Sequence, residues 1–300
     1  MTSRHKACVT KYFTETNTEF DWSVKKNMRS ELGTQRAAAD LVKARIDYAL
    51  LPVVSNEAAI AAKMFDRANI KYTTSATSTS AIGQLGQSMF TSTYQQAITI
   101  SKFAEVQDGA VILVDAGGVY SKAFIRGAIE TLADMDVQWE VLRTQQVLSL
   151  PDLSGRTIFA PLYGPDIARL YLKATESGDN RIYGPDSIGV NAEFLEIVAG
   201  APIGKTDLYF IRNWDSVLRG PNEQRFIQDV VPRCGNELIT SFVAAYTFDM
   251  FGQFIASQKG EPWMSIMTGE EIGFNFERFA ERRLHIYHFD GTTPNARQIR

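Results

Sequence analysis

From about residue 35 onward, short apolar runs alternate with longer segments whose apolar residues recur at helical spacing. The run 110–114 is nearly continuous in apolar side chains, which is typical of a strand buried on both faces of a parallel sheet. The pattern predicts strands over 46–54, 70–74, 89–92, 110–114, 137–147, 157–160 and 180–183. It predicts helices over 35–43, 58–68, 95–106, 120–134 and 166–177. Strands separated by helices indicate an α/β fold, and there are too many such units for one compact sheet, so we expect two lobes.

Both ends of the chain depart from this alternation. Toward the C-terminus, 226–231 and the strongly apolar 241–257 predict helices. Residues 274–276 and 284–289 predict strands, and the turn signal Asp290-Gly291 closes the second of them. Near the N-terminus, 6–13 and 20–27 predict two further strands.

Composition narrows the class of protein. The chain has 300 residues, 45% of them apolar and 22% charged, which is the balance of a soluble globular protein with room for two domains. The net charge is −3 and the basic residues are scattered, so we expect no nucleic-acid partner. No run approaches the roughly 20 apolar residues that a membrane span needs. The first residues lack the apolar core of a signal peptide. The protein is then either cytoplasmic, or periplasmic or extracellular with its signal peptide absent from this sequence.

Cysteine and histidine patterns predict no metal, cofactor or catalytic site. Cys8 and Cys234 form no C-x-x-C pair, so buried free thiols are the simpler interpretation and a Cys8–Cys234 bridge is the alternative. His285 and His288 are three residues apart in a predicted strand, which places them on opposite faces. Gly117-Gly118 matches neither nucleotide-binding glycine motif. The aromatic residues at close to helical spacing in 242–254 are predicted to lie in the core.

Polar residues follow four of the predicted strands, at the end of a parallel sheet where ligands bind. These loops hold hydroxyl groups, an aromatic side chain, a carboxylate and backbone amides at helix starts, in 55–56, 75–80, 115–120 and 184–187. Hydroxyls and helix N-terminal amides suit a ligand carboxylate, and an acidic side chain suits an ammonium group. The sequence therefore predicts a site for a small zwitterionic ligand.

Several segments resemble the type I periplasmic-binding family, and in particular the branch that binds leucine, isoleucine, valine and other amides or acids for ABC transporters. The resemblance covers roughly 35–300. It rests on 46–55 (IDYALLPVVS), 70–77 (IKYTTSAT), 111–121 (VILVDAGGVYS), 183–186 (YGPD), 245–249 (AYTFD) and the strand before Asp290-Gly291.

The resemblance implies two Rossmann-like lobes with mainly parallel sheets, joined by three crossovers and closing on a ligand in the cleft. One lobe would comprise 1–97 and 220–260, the other 98–219 and 261–300. An ABC permease or a receptor would be the partner.

The resemblance also implies roles for individual residues. Ser55 falls where the family places a hydroxyl that grips the ligand carboxylate, and the loop of Ser75, Ala76 and Thr77 falls where the family contacts the head group. Tyr120 falls where an aromatic of the second lobe closes over the ligand. Asp186 falls where an acid meets the ligand ammonium, and Tyr163 lines the same side.

One region departs from the family. The family opens with a strand, a long helix and a second strand before the segment at Ile46, whereas here only 45 residues precede it. A ligand-sensing domain of a receptor or regulator is an alternative function, as is a relic of the binding fold that no longer clamps a ligand. An α/β enzyme is the remaining alternative, and it would need an acid–base pair such as Asp115 with Asp186.

Overall fold

A computed structural model describes residues 2–51, 54–106, 111–190, 192–201, 205–213, 218, 220–272, 279, 283–292 and 296–300. The chain divides into two compact units. The first unit comprises Met1–Ala76, Ser80–Phe90 and Trp214–Ala280. The second comprises Thr77–Thr79, Thr91–Asn213 and Glu281–Arg300.

Helices and strands alternate through most of the described chain. The helices are α1 (Thr2–Thr16), α2 (Glu31–Lys43), α3 (Ser55–Arg67), α4 (Thr93–Phe103), α5 (Gly118–Asp134), α6 (Thr144–Leu148), α7 (Gly164–Ser177), α8 (Ala192–Val198), α9 (Asn222–Arg225), α10 (Val231–Cys234) and α11 (Phe242–Gln258). The strands are β1 (Tyr48–Leu50), β2 (Lys71–Thr74), β3 (Gly86–Ser88), β4 (Val111–Asp115), β5 (Trp139–Arg143), β6 (Thr157–Phe159), β7 (Asn180–Gly184), β8 (Thr206–Arg212), β9 (Trp263–Met264), β10 (Glu271–Ile272), β11 (His285–Phe289) and β12 (Arg297–Gln298). A π-helical turn, Phe226–Val230, joins α9 to α10.

The first unit is built on a parallel sheet in the order β1-β2-β3. One core, with Ala49, Leu51 and Phe65 among its members, packs α2 and α3 against this sheet. The other core gathers α1, α10 and α11, and Leu50 packs against it. Successive residues of β1 therefore serve two different cores, as the alternation of side chains in a strand requires.

The second unit is built on a seven-stranded sheet in the order β12-β11-β8-β7-β6-β4-β5. Strands β5, β4, β6, β7 and β8 are parallel to one another, while β11 and β12 are antiparallel to their neighbours. Residues 111–114 are fully buried, as their continuous apolar run predicts. The predicted fold class, α/β with mainly parallel sheets flanked by helices, is confirmed.

The N-terminal segment corrects one prediction. Residues 6–13 form part of α1 and not a strand. Val9, Tyr12 and Phe13 are buried, and their i, i+3, i+4 spacing is that of one helix face. The predicted strand at 20–27 is also wrong, because these residues have no strand assignment.

The cysteine interpretation was wrong as well. Cys8 of α1 and Cys234 of α10 form a disulfide across a Cα–Cα distance of 5.8 Å. The two residues are 226 positions apart, so only the tertiary packing of α1 on α10 brings them together.

The remaining differences concern element bounds. The predicted strand 137–147 is β5 followed by α6, and the predicted strand 89–92 begins and ends earlier, as β3. Strand β8 was not predicted at all. The predicted strand 274–276 lies outside the described residues. None of the helices in the described part of the chain is long and apolar enough to cross a membrane.

Candidate functional site

The topology of the second unit brings three of the predicted site residues together. Strands β4, β6 and β7 are neighbours and parallel, so their carboxyl ends meet at one edge of the sheet. Tyr120 lies in the first turn of α5 after β4, Tyr163 precedes α7 after β6, and Asp186 follows β7. The Tyr120 Oη atom donates a hydrogen bond of 2.6 Å to Asp186 Oδ1. The ring centroids of Tyr120 and Tyr163 are 5.4 Å apart.

Neutral donors surround the Asp186 carboxylate. Besides Tyr120 at Oδ1, the amide groups of Gln96 and Asn213 donate to Oδ2 at 3.0 and 2.5 Å. Gln96 Oε1 also accepts from the Asp186 N–H, and Tyr120 Oη accepts from the Ser187 N–H. Burial raises the pKa of Asp186 above its ordinary value, and the three side-chain donors oppose that rise. Burial likewise raises the pKa of the Tyr120 phenol, and the charge of Asp186 adds to the effect, so Tyr120 remains a donor at neutral pH.

Every described partner of the Asp186 carboxylate is neutral. Besides the three side-chain donors, a backbone hydrogen bond within Asp186 itself reaches the carboxylate. Within the described part of the chain, no cationic side chain contributes to the pKa of Asp186. The described partners of the Asp186 carboxyl group are thus all neutral dipoles.

Thr77 also lies in the second unit. Its hydroxyl is 2.7 Å from the Thr93 hydroxyl, and its carbonyl accepts from the Thr93 N–H at the start of α4. The neighbouring Ser78 hydroxyl donates to the carbonyl of Val119 in α5. These bonds fix the segment 77–79 against the amino ends of α4 and α5.

Ser55, Ser75 and Ala76 belong to the first unit, after the adjacent parallel strands β1 and β2. Ser55 is the first residue of α3, which has Val54 as its N-cap and no side-chain cap. Ser55 is 3% exposed and Ser75 is 2% exposed. Ala76 packs with Ala58 of α3, which brings the loop after β2 against the start of that helix.

The Ser75 hydroxyl is the candidate for a ligand contact in this region. Ser75 Oγ is buried and finds no hydrogen-bond partner among the described residues. Buried polar atoms in folded proteins are nearly always paired, so this hydroxyl is open to a ligand or to a water molecule. The N–H of Ala76, in contrast, already donates to Thr74 Oγ1 at 3.0 Å.

The acid–base pair considered for an enzyme is not formed. Asp115 Oδ1 accepts from the Gly117 N–H at 2.8 Å and from the Ser121 hydroxyl at 3.1 Å, so it organises its own loop. Asp186 bonds to the different set of donors given above. No group of three or more metal-ligating side chains occurs within the described ranges.

Sequence reasoning missed Gln96 and Asn213. Asn213 directly follows β8, and the alternating residues of 206–212 carried a strand signal that would have placed Asn213 at the carboxyl end of a strand. Gln96 lies in the first turn of α4, and no local pattern distinguishes it from other polar residues at helix starts.

Comparison with solved structures identifies the fold. A leucine-binding protein from Thermotoga maritima superposes with a TM-score of 0.76 at 14% identity, covering 99% of this chain and 94% of that one. A branched-chain amino acid ABC transporter protein from Thermus thermophilus with bound valine has a TM-score of 0.76 at 12% identity, with 99% and 91% covered. A solute-binding protein of an ABC transporter from Rhodopseudomonas palustris, solved with p-hydroxybenzoic acid, has a TM-score of 0.72 at 10% identity, with 99% and 92% covered.

Comparison of sequences gives no further assignment. No protein-family model matches the chain, and no curated protein matches it significantly. At 10–14% identity the structural matches establish the fold alone. The chain has the type I periplasmic-binding fold of ABC-transporter substrate-binding proteins.

Proposed function

We propose that this chain is a solute-binding protein that holds a small amino-acid-like ligand and delivers it to an ABC permease. The observation that carries the proposal is Asp186, a half-buried carboxylate held by neutral donors at the carboxyl ends of parallel strands. A ligand ammonium would supply the positive charge that the described surroundings of Asp186 lack.

The first unit has its own set of donors suited to a carboxylate group. The unpaired Ser75 hydroxyl, the Ser55 hydroxyl and the amide groups at the start of α3 are donors for a ligand carboxylate. Tyr120 and Tyr163 present aromatic surface beside Asp186, and Tyr163 is 49% exposed. Aromatic surface favours a ligand with an apolar side chain. The valine bound in one structural neighbour has these three chemical parts.

The disulfide bears on where in the cell or outside it the protein works. Disulfides persist in oxidising compartments and are rare in the cytosol. The Cys8–Cys234 bridge therefore favours a periplasmic or extracellular protein. The binding role needs no catalytic group.

Calorimetry with matched ligands tests the proposal. Leucine and its deaminated analogue 4-methylpentanoate differ in the ammonium group, and 4-hydroxybenzoate represents the other ligand class of the structural neighbours. We expect leucine to bind, and Asp186→Asn to weaken leucine by at least about thirtyfold, because it removes one partner of a buried charge pair. The affinity for 4-methylpentanoate should change by less than about threefold, within the effect of one neutral hydrogen bond.

Asp115→Asn is the matched control, since the Asp115 carboxylate bonds within its own loop. It should leave leucine affinity nearly unchanged. Equal weakening of leucine and 4-methylpentanoate by Asp186→Asn would contradict the ammonium role. Failure of leucine and related amino acids to bind, with 4-hydroxybenzoate bound tightly, would replace the amino-acid ligand by an aromatic acid. Binding of none of these small molecules would contradict the solute-binding function.

A further inference from the structure

We propose that the first unit holds a binding site for a small aromatic carboxylate, in which Lys6 of α1 is the cationic group that meets the charge of the ligand. The side chains of this site are different from those of the proposed solute site, which are Ser55, Ser75 and the residues around Asp186. The inference therefore does not depend on the solute-binding function.

The site is a cavity of about 480 Å³ within the first unit. Its walls come from α1, α2, β1, α3 and α11, and from the residues between α1 and α2. Small-molecule sites in proteins have volumes of about 300–1,000 Å³ and combine a mostly apolar lining with a few polar groups. The cavity thus has the volume of a site for one small organic molecule.

The charged side chains that line the cavity differ in their exposure. Asp21, Lys25, Arg45 and Asp47 are exposed, and their two negative and two positive charges balance one another. Lys6 is half-buried, and it is the one charged side chain of the described lining that is not exposed. The less accessible part of the lining therefore carries one positive charge.

The Lys6 ammonium has no close acceptor in the described part of the chain. Its Nζ atom forms no hydrogen bond and no ion pair within 4.0 Å with a described residue. Burial lowers the pKa of Lys6, and the charge of Glu57 opposes this effect from beyond ion-pair distance. Glu57 does not line the cavity, and its carboxylate accepts a hydrogen bond of 2.6 Å from Asn27 Nδ2. An anion in the cavity would give Lys6 the close partner that a desolvated charge needs.

Aromatic rings define the rest of the ligand. Five side chains of the lining form one connected cluster of rings. The ring centroid of Phe254 lies 5.0 Å from that of Tyr48 and 5.6 Å from that of Phe20. The ring of Trp22 lies 5.7 Å from Phe254 and 5.5 Å from Phe251. Aromatic rings pack favourably at such distances, so the ring of a ligand can extend this cluster by the same kind of contact.

The lining from α2 leaves space for that ring, because it consists mainly of small apolar side chains. These are Ala37, Ala38, Leu41 and Ala44. A single ammonium balances a single negative charge, which favours a carboxylate over a phosphate of nearly two charges. The ligand class that meets both conditions is an aromatic ring joined by a short linker to one carboxylate.

Two probes of the same shape test the proposal on the full chain. They are 3-phenylpropanoate and its neutral amide, 3-phenylpropanamide. We expect the acid to bind at least about tenfold more tightly than the amide in calorimetry, because a hydrogen bond between charged groups contributes more than a neutral one. The acid should also change the fluorescence of Trp22, which lines the cavity, and the Trp22→Phe protein should lack that change.

Lys6→Met keeps the length of the side chain and removes its charge. Since burial disfavours the ammonium, the variant should fold. It should abolish the preference for the acid and change the affinity for the amide by less than about threefold. Lys25→Met is the matched control, because Lys25 lines the same cavity at an exposed position and should contribute little. Asp186→Asn should leave the affinity for the acid unchanged, which separates this site from the proposed solute site.

Equal affinity of the wild-type protein for the acid and the amide would overturn the proposal, because it would show apolar adhesion without a role for charge. Equal weakening of both probes by Lys6→Met, or an equal loss of the preference in Lys25→Met, would overturn it too. So would the absence of binding up to about 10 mM acid, a concentration above the Kd of a specific site. Acid binding that Asp186→Asn abolishes and Lys6→Met leaves intact would assign the acid to the solute site and would also overturn the proposal.

Discussion

The substitution Tyr120→Phe tests the electrostatics of the Asp186 site without any ligand. It removes the 2.6 Å hydrogen bond to Asp186 Oδ1 and the acceptor of the Ser187 N–H, while the ring can keep its place. A hydrogen bond to a charged group contributes about 1.5–3 kcal/mol, and a neutral one about 0.5–1.5 kcal/mol. For the ionised form of Asp186 we expect the free energy of unfolding to fall by about 2–3 kcal/mol at pH 7.

The pH dependence of this loss follows from the pKa of Asp186, which burial raises above its ordinary value of 3.8. A carboxyl group with a raised folded-state pKa favours folding most below its unfolded-state pKa, and this contribution is lost as pH rises through the folded-state pKa. Tyr120 opposes the rise, so Tyr120→Phe raises the pKa further. Near pH 3.5 the loss should therefore shrink to about 1 kcal/mol, because the protonated carboxyl gains less from the phenol.

Urea denaturation of both proteins at pH 7 and pH 3.5 measures the difference. Tyr163→Phe is the matched control, since Tyr163 stacks beside Tyr120 and its hydroxyl has no hydrogen bond to Asp186 among those described. It should change stability by less than about 0.5 kcal/mol at either pH. A loss for Tyr120→Phe that is the same at both pH values would refute the reasoning, since it would show that the charge of Asp186 plays no part.

Three further predictions concern the disulfide, the buried Asp249 and Ser75. Reduction of Cys8–Cys234, or its replacement by two alanines, should lower the free energy of unfolding by about 5 kcal/mol in a chain-entropy treatment of a 226-residue separation, measured by urea denaturation with and without reductant. Asp249→Ala should destabilise the first unit by at least about 3 kcal/mol, because the fully buried carboxylate accepts hydrogen bonds from Trp263 Nε1, the Ser265 hydroxyl and the Ile266 N–H. Thermal unfolding followed by tryptophan fluorescence measures this loss, and Asp134→Ala at an exposed position is the neutral control. Ser75→Ala should leave the stability of the free protein unchanged or slightly raised, since the hydroxyl is unpaired, yet weaken the ligand about two- to tenfold in calorimetry; a clear loss of stability without a loss of affinity would contradict its role.

The parallel sheets were predictable because burial on both faces leaves a local sequence signal. Residues 111–114 are all fully buried and read as a continuous apolar run. The error at 6–13 had the opposite origin. The β-branched and aromatic residues of this segment suggest a strand, while the spacing of Val9, Tyr12 and Phe13 is that of a helix. The segment forms a helix, so the periodicity of the buried residues and not their type predicts its structure.

Long-range pairings carried no such signal. The Cys8–Cys234 bridge depends on the packing of α1 against α10, and local sequence does not encode that contact. Two distant cysteines can be bridged only when tertiary structure brings their Cα atoms within about 7 Å, and the sequence alone does not show that distance.

The candidate ligand site shows how far one topological rule extends. The rule that ligands lie at the carboxyl ends of parallel strands selected Tyr120 and Asp186, and the family resemblance added Tyr163. The sheet order makes the strands before these residues neighbours. Strand β8 is the next neighbour of β7, so the same rule would have selected Asn213 once β8 was identified. Gln96 is different, because it reaches Asp186 from helix α4 and grips both its carboxylate and its N–H. Gln96 therefore orients Asp186 from a helix that covers the sheet. Its position depends on how α4 packs beside the sheet edge, and only the three-dimensional structure shows that packing.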